Sequence, residues 1–269
     1  MKRLELLGQP FFYGNGGVDA SSGDEPVVMI HGAGCDHSVW ALQARQLAQK
    51  GCRVVAVDLP RHGASGGDLV ESIDGFADWL DAFLSAAAIE RPVTLIGHSM
   101  GACIATTFAA KFPKRVSRLA LLSAGDKMPV AEALLEDTAS RPKRAHAFIS
   151  AFGHGREMHF GGAAIPGIWN VGATLALLER CPPEVMHADF QACNEWQAEG
   201  LAENVSCPSL VIAGSADRMT PPRSAKALAA ALPDARLEII EGAGHLMLAE
   251  TPDEISRLLS LFVERDRTD

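Results

Sequence analysis

Apolar positions along this chain fall into two kinds of run. Six short ones, VVMIH (27–31), RVVAVDL (53–59), VTLIG (93–97), RLALLS (118–123), SLVIAG (209–214) and RLEIIEG (236–242), are rich in β-branched residues and mostly lack polar alternation. A strand that is apolar on both faces is buried on both, so these runs predict a largely parallel sheet covered by helices on either side. Longer segments with helical spacing lie between them: VWALQARQLAQKG (39–51), FADWLDAFLSAA (76–87), MGACIATTFAAKF (100–112), SAKALAAAL (224–232) and PDEISRLLSLFVER (252–265). Gly51 reads as a helix stop and Pro252 suits a first helical turn. The βαβα order predicts right-handed crossovers and a doubly wound α/β core. LELL and PFFY near the start add antiparallel edge strands.

From about 126 to 203 this rhythm stops. The segment carries helix-like pieces, VAEALLED, KRAHAFISAF, GATLALLER and PPEVMHADFQACNEWQ, with glycine-rich joints at 153–155 and 161–162 and no convincing strand. Insertions at the carboxyl end of parallel strands overhang the ligand crevice. We therefore expect a core of residues 1–125 and 204–269 and a helical lid of residues 126–203.

Charge and composition narrow the classes. With 24 Lys and Arg against 33 Asp and Glu the net charge is −9, and no concentrated basic patch stands out, which argues against a nucleic-acid or anionic-membrane partner. Apolar residues make up 48% of the chain, a globular value, yet no run approaches the roughly 20 residues of a membrane-spanning helix. Glu5 interrupts the N-terminal MKRLELLGQPFF, which reads as part of the fold and not as a targeting segment. Cysteines 35, 52, 103, 181, 193 and 207 show no ligand-like spacing and read as buried thiols in a reducing compartment, so the cytoplasm is the expected location. Nothing in the composition bears on oligomeric state.

Candidate chemistry centres on Gly97-His98-Ser99-Met100-Gly101, where a strand-like run gives way to a helix-like one. A serine there could simply cap the helix. In a strand–turn–helix setting, however, G-x-S-x-G is a turn so tight that its serine takes strained backbone angles and projects above the sheet, facing helix-terminal N–H groups. A serine hydroxyl is a poor nucleophile near neutral pH and needs a base plus an acid to orient that base. His245, in the EGAGHLMLAE loop after the last strand, and Asp217, in VIAGSADRMTPP after the preceding one, supply both in the order Ser, Asp, His.

With HGAG (31–34), DLPRHGAS (58–65), GHSMG (97–101), GSAD (214–217) and GAGH (242–245) each following its strand, the chain resembles the α/β-hydrolase fold family over almost its whole length. The resemblance implies Ser99 as nucleophile, His245 as general base and then acid, and Asp217 as the carboxylate that fixes the imidazole tautomer. It further implies oxyanion donors from the backbone N–H groups of Met100 and Ala33. Some family members carry the acid one strand earlier, where this chain has Asp126; Asp217 is preferred because GSAD places it directly beyond its strand, and otherwise Asp126 reads as a helix cap at the lid entrance. Arg61 stands where many relatives have glycine, a departure that touches a structural turn.

Among the other histidines, His31 is expected to anchor the HG loop and His98 to point away from the nucleophile. His154 and His159 flank Glu157 without the spacing of a helical metal motif, so a solvated lid loop is expected and no metal site. Leu246 and Met247, beside the base, are candidates for the substrate pocket. So are Trp169 and Trp196, and with them Phe160, Phe190 and Met186, although residues of this type also simply hold a lid together. Trp40 is expected to pack its helix. The expected activity is hydrolysis of carboxylic esters or lactones of small to medium, largely apolar molecules, through an acyl-enzyme and without metal or organic cofactor. The same triad serves carbon–carbon hydrolases of ring-cleavage products, enol-lactonases and perhydrolase-type haloperoxidases, and the fold also occurs in non-catalytic ligand receptors. Haloalkane and epoxide chemistry by the usual family route needs a carboxylate in place of Ser99.

Overall fold

The computed structural model describes residues 1–18 and 26–264. Its eight strands are β1 (Lys2–Leu6), β2 (Gln9–Gly14), β3 (Pro26–Ile30), β4 (Arg53–Val57), β5 (Val93–His98), β6 (Val116–Leu122), β7 (Ser209–Gly214) and β8 (Ala235–Ile240). They form one sheet in the order β1-β2-β4-β3-β5-β6-β7-β8. The β1–β2 and β2–β4 pairings are antiparallel and the rest are parallel. The apolar runs are buried end to end, as in β3 and β7, while β8, at the open edge, alternates toward solvent.

Helices α1 (Ala41–Gln49), α2 (Ile73–Ala86), α3 (Met100–Lys111), α8 (Pro222–Ala231), α9 (Met247–Glu250) and α10 (Pro252–Glu264) cover the two faces. One apolar core joins α2, α3 and α8 to the sheet through Phe76, Phe83, Phe108 and Leu228. A second joins α1 and α10 to the other face through Leu47, Ile255, Leu259 and Phe262. In α10 the buried Ile255, Leu258, Leu259 and Phe262 recur at the three- and four-residue spacing of one helical face. The helix expected over 252–265 ends at Glu264, and Arg265 lies outside the described residues. Trp40, fully buried, closes a short 3-10 turn (His37–Trp40) ahead of α1.

Between β6 and β7 the chain forms α4 (Glu132–Ser140), α5 (Pro142–Gly153), α6 (Asn170–Leu178) and α7 (Pro183–Glu195). These helices share a small core of their own, including Leu134, Ile149, Val185, Met186 and Phe190. The segment leaves and rejoins the sheet at one place, where Lys127 and Gln197 form an antiparallel bridge and the Ala198 N–H donates to the Asp126 carbonyl at 2.8 Å. Asp126 caps no described helix, since the residue ahead of α4 is Ala131.

The strand order places β3 and β5 side by side, with the chain winding outward from them in opposite directions. A crevice opens beyond the carboxyl ends of strands at such a reversal. Pairing of Ile30 with Gly97 sets the His31 and Ser99 loops next to each other at that edge, where β7 and β8 also deliver Asp217 and His245.

Candidate active site

Ser99 has φ 54° and ψ −119°, a conformation that strains any residue with a side chain, and its hydroxyl makes no capping bond to α3. The surrounding glycines have a steric cause. A Cβ at Gly97 would lie 2.2 Å from the Gly101 carbonyl oxygen, and one at Gly101 would lie 2.2 Å from that of Ile30. Both collisions are with backbone, so the turn closes only with hydrogen at these two positions. It is tied down by the Ser99 N–H, which donates to the Leu122 carbonyl at 2.9 Å.

Ser99 Oγ lies 2.9 Å from His245 Nε2, and His245 Nδ1 lies 2.9 Å from Asp217 Oδ2. The second carboxylate oxygen accepts the N–H groups of Met219 at 2.9 Å and Thr220 at 2.8 Å, which holds Asp217 as an acceptor. Because Asp217 can only accept, the His245 proton sits on Nδ1, leaving Nε2 with a lone pair facing the serine hydroxyl. Asp217 and His245 are buried, away from competing water. Asp126 is not part of this chain of bonds; its N–H donates to the Ser224 carbonyl at 3.3 Å.

Several supports were not anticipated from the sequence. The His245 carbonyl accepts from both His98 Nε2 and Ser123 Oγ at 2.8 Å, fixing the loop that carries the base. His98 indeed points away from Ser99; burial, followed by the neighbouring His245, holds its pKa down to about 3, so it stays a neutral donor. Glu250 Oε2 accepts the N–H groups of Gly244 and Gly155, each at 3.0 Å, stapling the His245 loop to the end of α5. Burial raises the Glu250 pKa, against the pull of those two amides. Only the richness of GAGHLMLAE in glycine hinted at such a tightly held loop.

His31 anchors its loop as expected. Its Nδ1–H donates to the Gly32 carbonyl at 2.9 Å while Nε2 accepts the Leu59 N–H at 3.2 Å, and burial brings its pKa to about 4. The following turn closes with the Cys35 N–H on the Gly32 carbonyl at 3.2 Å. The N–H groups of Ala33 and Met100 donate to no other protein group among the described residues. Ala33 lines the same cavity as Ser99, and Met100 opens α3, whose dipole favours negative charge there.

That cavity measures about 180 Å³ and is walled mainly by Met128, Val130, Leu134, Phe148, Phe190 and Met219, with Ser99 and His245 also lining it and Arg218 at its edge. Arg218 donates to the Ala151 carbonyl at 2.8 Å and stacks 4.5 Å from the Phe152 ring, pinning the last turn of α5. Of the proposed pocket residues, Phe190 is in the wall and the others are elsewhere. Trp169 is 66% exposed and lies over Gly172. Trp196 is 8% exposed in the core, its indole N–H on Thr107 Oγ1 at 3.0 Å. Met247 is buried under α10, Met186 packs against Gly34 and Phe160 faces solvent. Leu246 faces a different, apolar cavity of about 380 Å³ beside α6 and Leu42. Although adjacent in sequence to the base, neither Leu246 nor Met247 lines the Ser99 cavity; the stretch leads directly into α9.

The solvated loop expected around His154 is only half right. His159 and Glu157 are exposed, but His154 is fully buried, with Nδ1 3.2 Å from the Ser150 carbonyl and a pKa brought to about 4 by burial. The ligand-type atoms that do converge belong to Asp36, His37 and Asp58. They are occupied by the protein itself: Asp58 accepts His37 Nδ1 at 2.7 Å and the Ala64 N–H at 3.2 Å, and Asp36 caps Ser38 and pairs with Arg180. The six cysteines are buried free thiols. Among the described residues no helix is long and apolar enough to cross a membrane.

A mostly parallel sheet with helices on both faces, carrying a hydroxyl, an imidazole and a carboxylate in a hydrogen-bonded row at its carboxyl edge, places this protein among the doubly wound α/β proteins with a Ser–His–Asp constellation. The chain belongs to the alpha/beta hydrolase family, whose profile matches residues 27–258. It is 31% identical to a pimeloyl-[acyl-carrier protein] methyl ester esterase of Chromobacterium violaceum, over 88% of this chain and 94% of that one. An uncharacterised protein of Mycobacterium tuberculosis is 30% identical, covering 88% of this chain and 75% of its own. Among solved structures, the enol-lactonase from Burkholderia xenovorans LB400 superposes with TM-score 0.85 at 20% identity, over 97% of this chain and 99% of that one. A thermophilic esterase from Thermogutta terrifontis gives TM-score 0.84 at 24% identity, over 98% and 99%.

Proposed function

We propose that this protein is a serine hydrolase of carboxylic ester or lactone bonds, acting on small, largely apolar substrates through an acyl-enzyme. The observation that carries the reading is the unbroken row Ser99 Oγ, His245 Nε2 and Nδ1, Asp217 Oδ2, with 2.9 Å at each link, opening on an apolar cavity. Its likeness at 31% identity to a methyl ester esterase supports ester chemistry. Ser99 attacks the carbonyl as His245 takes its proton; the tetrahedral oxyanion settles between the Ala33 and Met100 amides; His245 then protonates the leaving alcohol. Water, activated by the same imidazole, releases the acid and restores Ser99. Asp217 orients the imidazole and stabilises the positive charge it takes up in each half.

The segment of residues 126–203 acts as a lid, since Met128, Val130, Leu134, Phe148 and Phe190 all line the cavity. At about 180 Å³ the cavity is smaller than the roughly 300–1,000 Å³ usual for drug-sized ligands, which favours short acyl or alkoxy groups. A fluorophosphonate probe should label Ser99 alone, and hydrolysis of p-nitrophenyl esters should fall by about 10⁴-fold or more in Ser99→Ala. Equal activity in the two proteins, or no labelling of folded protein, refutes the assignment.

A further inference from the structure

The mechanism above leaves one buried pair unused. His62, in the turn after β4, and Asp189, on α7, meet at 2.8 Å between Nε2 and Oδ2, with side chains 0% and 1% exposed. The other ring nitrogen, Nδ1, lies 2.9 Å from the Pro60 carbonyl. A carbonyl and a carboxylate are both acceptors, and a neutral imidazole has one N–H to donate, so this geometry calls for imidazolium facing carboxylate. Burial is the largest single influence on the His62 pKa and lowers it, but the charge and hydrogen bond of Asp189, with the Pro60 carbonyl and Asp58, together raise it. His31, whose ring lies 4.9 Å away, remains neutral.

The same Asp189 oxygen accepts a second bond, from the Gly34 N–H at 2.8 Å. Gly34 follows Ala33 in the turn beyond β3, has φ 68°, and is packed so closely that a side chain there would begin 2.8 Å from Met186 Cε, also on α7. The far side of that turn is closed by the Cys35 N–H on the Gly32 carbonyl. Gly32 and Ala33 pack on the sheet domain, but the Gly34 N–H itself is bound by Asp189 of α7. Arg61 with Glu184 at 3.0 Å, and Arg180 with Asp36 at 3.1 Å, tie the α6–α7 region to the loops on either side.

We propose that Asp189 is a positioning residue for the oxyanion loop: by gripping Gly34 from α7 it sets the direction of the Ala33 amide, so that turnover requires this lid helix to be docked. The proposal rests on the serine-hydrolase reading. Asparagine cannot replace the carboxylate. Oriented with its oxygen toward Gly34 it leaves a buried NH₂ where Oδ1 already lacks a partner, and it removes the charge that His62 faces; turned round, it sets an N–H against the Gly34 N–H.

The test compares wild type, Asp189→Asn and Asp189→Glu on one p-nitrophenyl ester, each normalised by active-site titration, together with binding of a trifluoromethyl ketone, whose adduct carries the oxyanion. Asp189→Asn should lower kcat by about 10- to 100-fold, below the 10²–10³ ceiling for losing a whole oxyanion donor, with KM within about 3-fold. Ketone affinity should fall by the same factor, and Asp189→Glu should recover part of kcat. A kcat per titrated site within 2-fold of wild type, or a rise in KM alone, overturns the proposal. Amide exchange in wild type gives a readout independent of any variant: the Gly34 N–H should be protected and the Ala33 N–H should exchange freely, and fast exchange at both also overturns it. If wild type hydrolyses no ester and binds no ketone, the serine-hydrolase reading fails, while Gly34 protection still reports on the clamp.

Discussion

Replacing Asp217 by asparagine tests the triad and the choice between two candidate acids together. The side-chain amide would face two sets of partners. One end meets the N–H groups of Met219 and Thr220, at 2.9 and 2.8 Å from the present oxygen, and the other meets His245 Nδ1 at 2.9 Å. Two donors outvote one, so the amide oxygen goes to Met219 and Thr220 and the NH₂ turns to His245. The imidazole must then accept at Nδ1 and carry its proton on Nε2, where it can no longer take the serine proton. Reversing the amide would leave two buried donors unpaired at about 1–3 kcal/mol each, so the competent orientation is populated at most about one time in 30. The imidazolium also loses a charged partner worth about 1.5–3 kcal/mol, a further 10- to 150-fold. The combined expectation is a fall in kcat of at least about 300-fold, and about 10⁴-fold where both effects are near mid-range, with near-native folding. The assay is hydrolysis of p-nitrophenyl butyrate per titrated Ser99, with Asp126→Asn run beside it and expected to match wild type. Asp217→Asn keeping more than about a tenth of wild-type kcat, or Asp126→Asn being the variant that collapses, would refute the reasoning.

Two further outcomes concern stability. Ser99→Gly should be more stable than Ser99→Ala by about 0.5–2 kcal/mol, because glycine relieves a strain of about 1–3 kcal/mol at φ 54° while losing about 0.5–1 in chain entropy; thermal scans should separate the two by about 2–4 °C per kcal/mol, and Ser99→Ala melting at or above Ser99→Gly would contradict the strain. His31 and His154, each held at about 4, and His98, at about 3, bind their protons in the unfolded chain at about 6.5. Unfolding therefore takes up protons between those values, so stability present above pH 6.5 is lost as pH falls toward 4, at about 1.4 kcal/mol per pH unit for each histidine. The raised pKa values of His37 and His62 act in the opposite sense, their contribution being complete below 6.5 and lost as pH rises through the folded values. Urea titrations at pH 5, 6 and 7 that give equal stability would rule this linkage out.

The strands and the triad were legible in the chain because their signals are local. Each central parallel strand is an apolar run whose burial on both faces needs no partner to be recognised, and the predicted ends fall within a few residues of those observed. Ser99 could be singled out because Gly97 and Gly101 meet backbone at 2.2 Å, a constraint that leaves its mark in five consecutive residues. The walls of the cavity left no such mark. Trp169, Trp196, Leu246 and Met247 have the chemistry of a binding pocket, and so do Phe148, Met128 and Met219, which form one; an apolar side chain is equally satisfied by a core, a lid interface or a substrate. His154 shows the same limit from the polar side, since glycine-flanked histidine reads as a surface loop until the helix beside it is seen to bury the ring.

What the amino-acid order marked by itself is the sheet, its winding and the candidate serine and histidine at its carboxyl edge, because each follows from residues within a few positions of one another; between Asp217 and Asp126 it left a choice that the hydrogen bond to His245 bears on. What only the folded molecule decided is which side chains from distant segments share a volume: His98 and Ser123 on the His245 carbonyl, Glu250 bridging Gly244 to Gly155, and Asp189 joining His62 to Gly34. Those contacts span 90 or more positions in most cases, and α7 could meet the oxyanion loop only through the particular packing of four helices on one another. Periodicity governs which face of a helix is apolar; the angle and depth at which that face docks is set by the summed shape of all its neighbours, and that sum exists only in three dimensions.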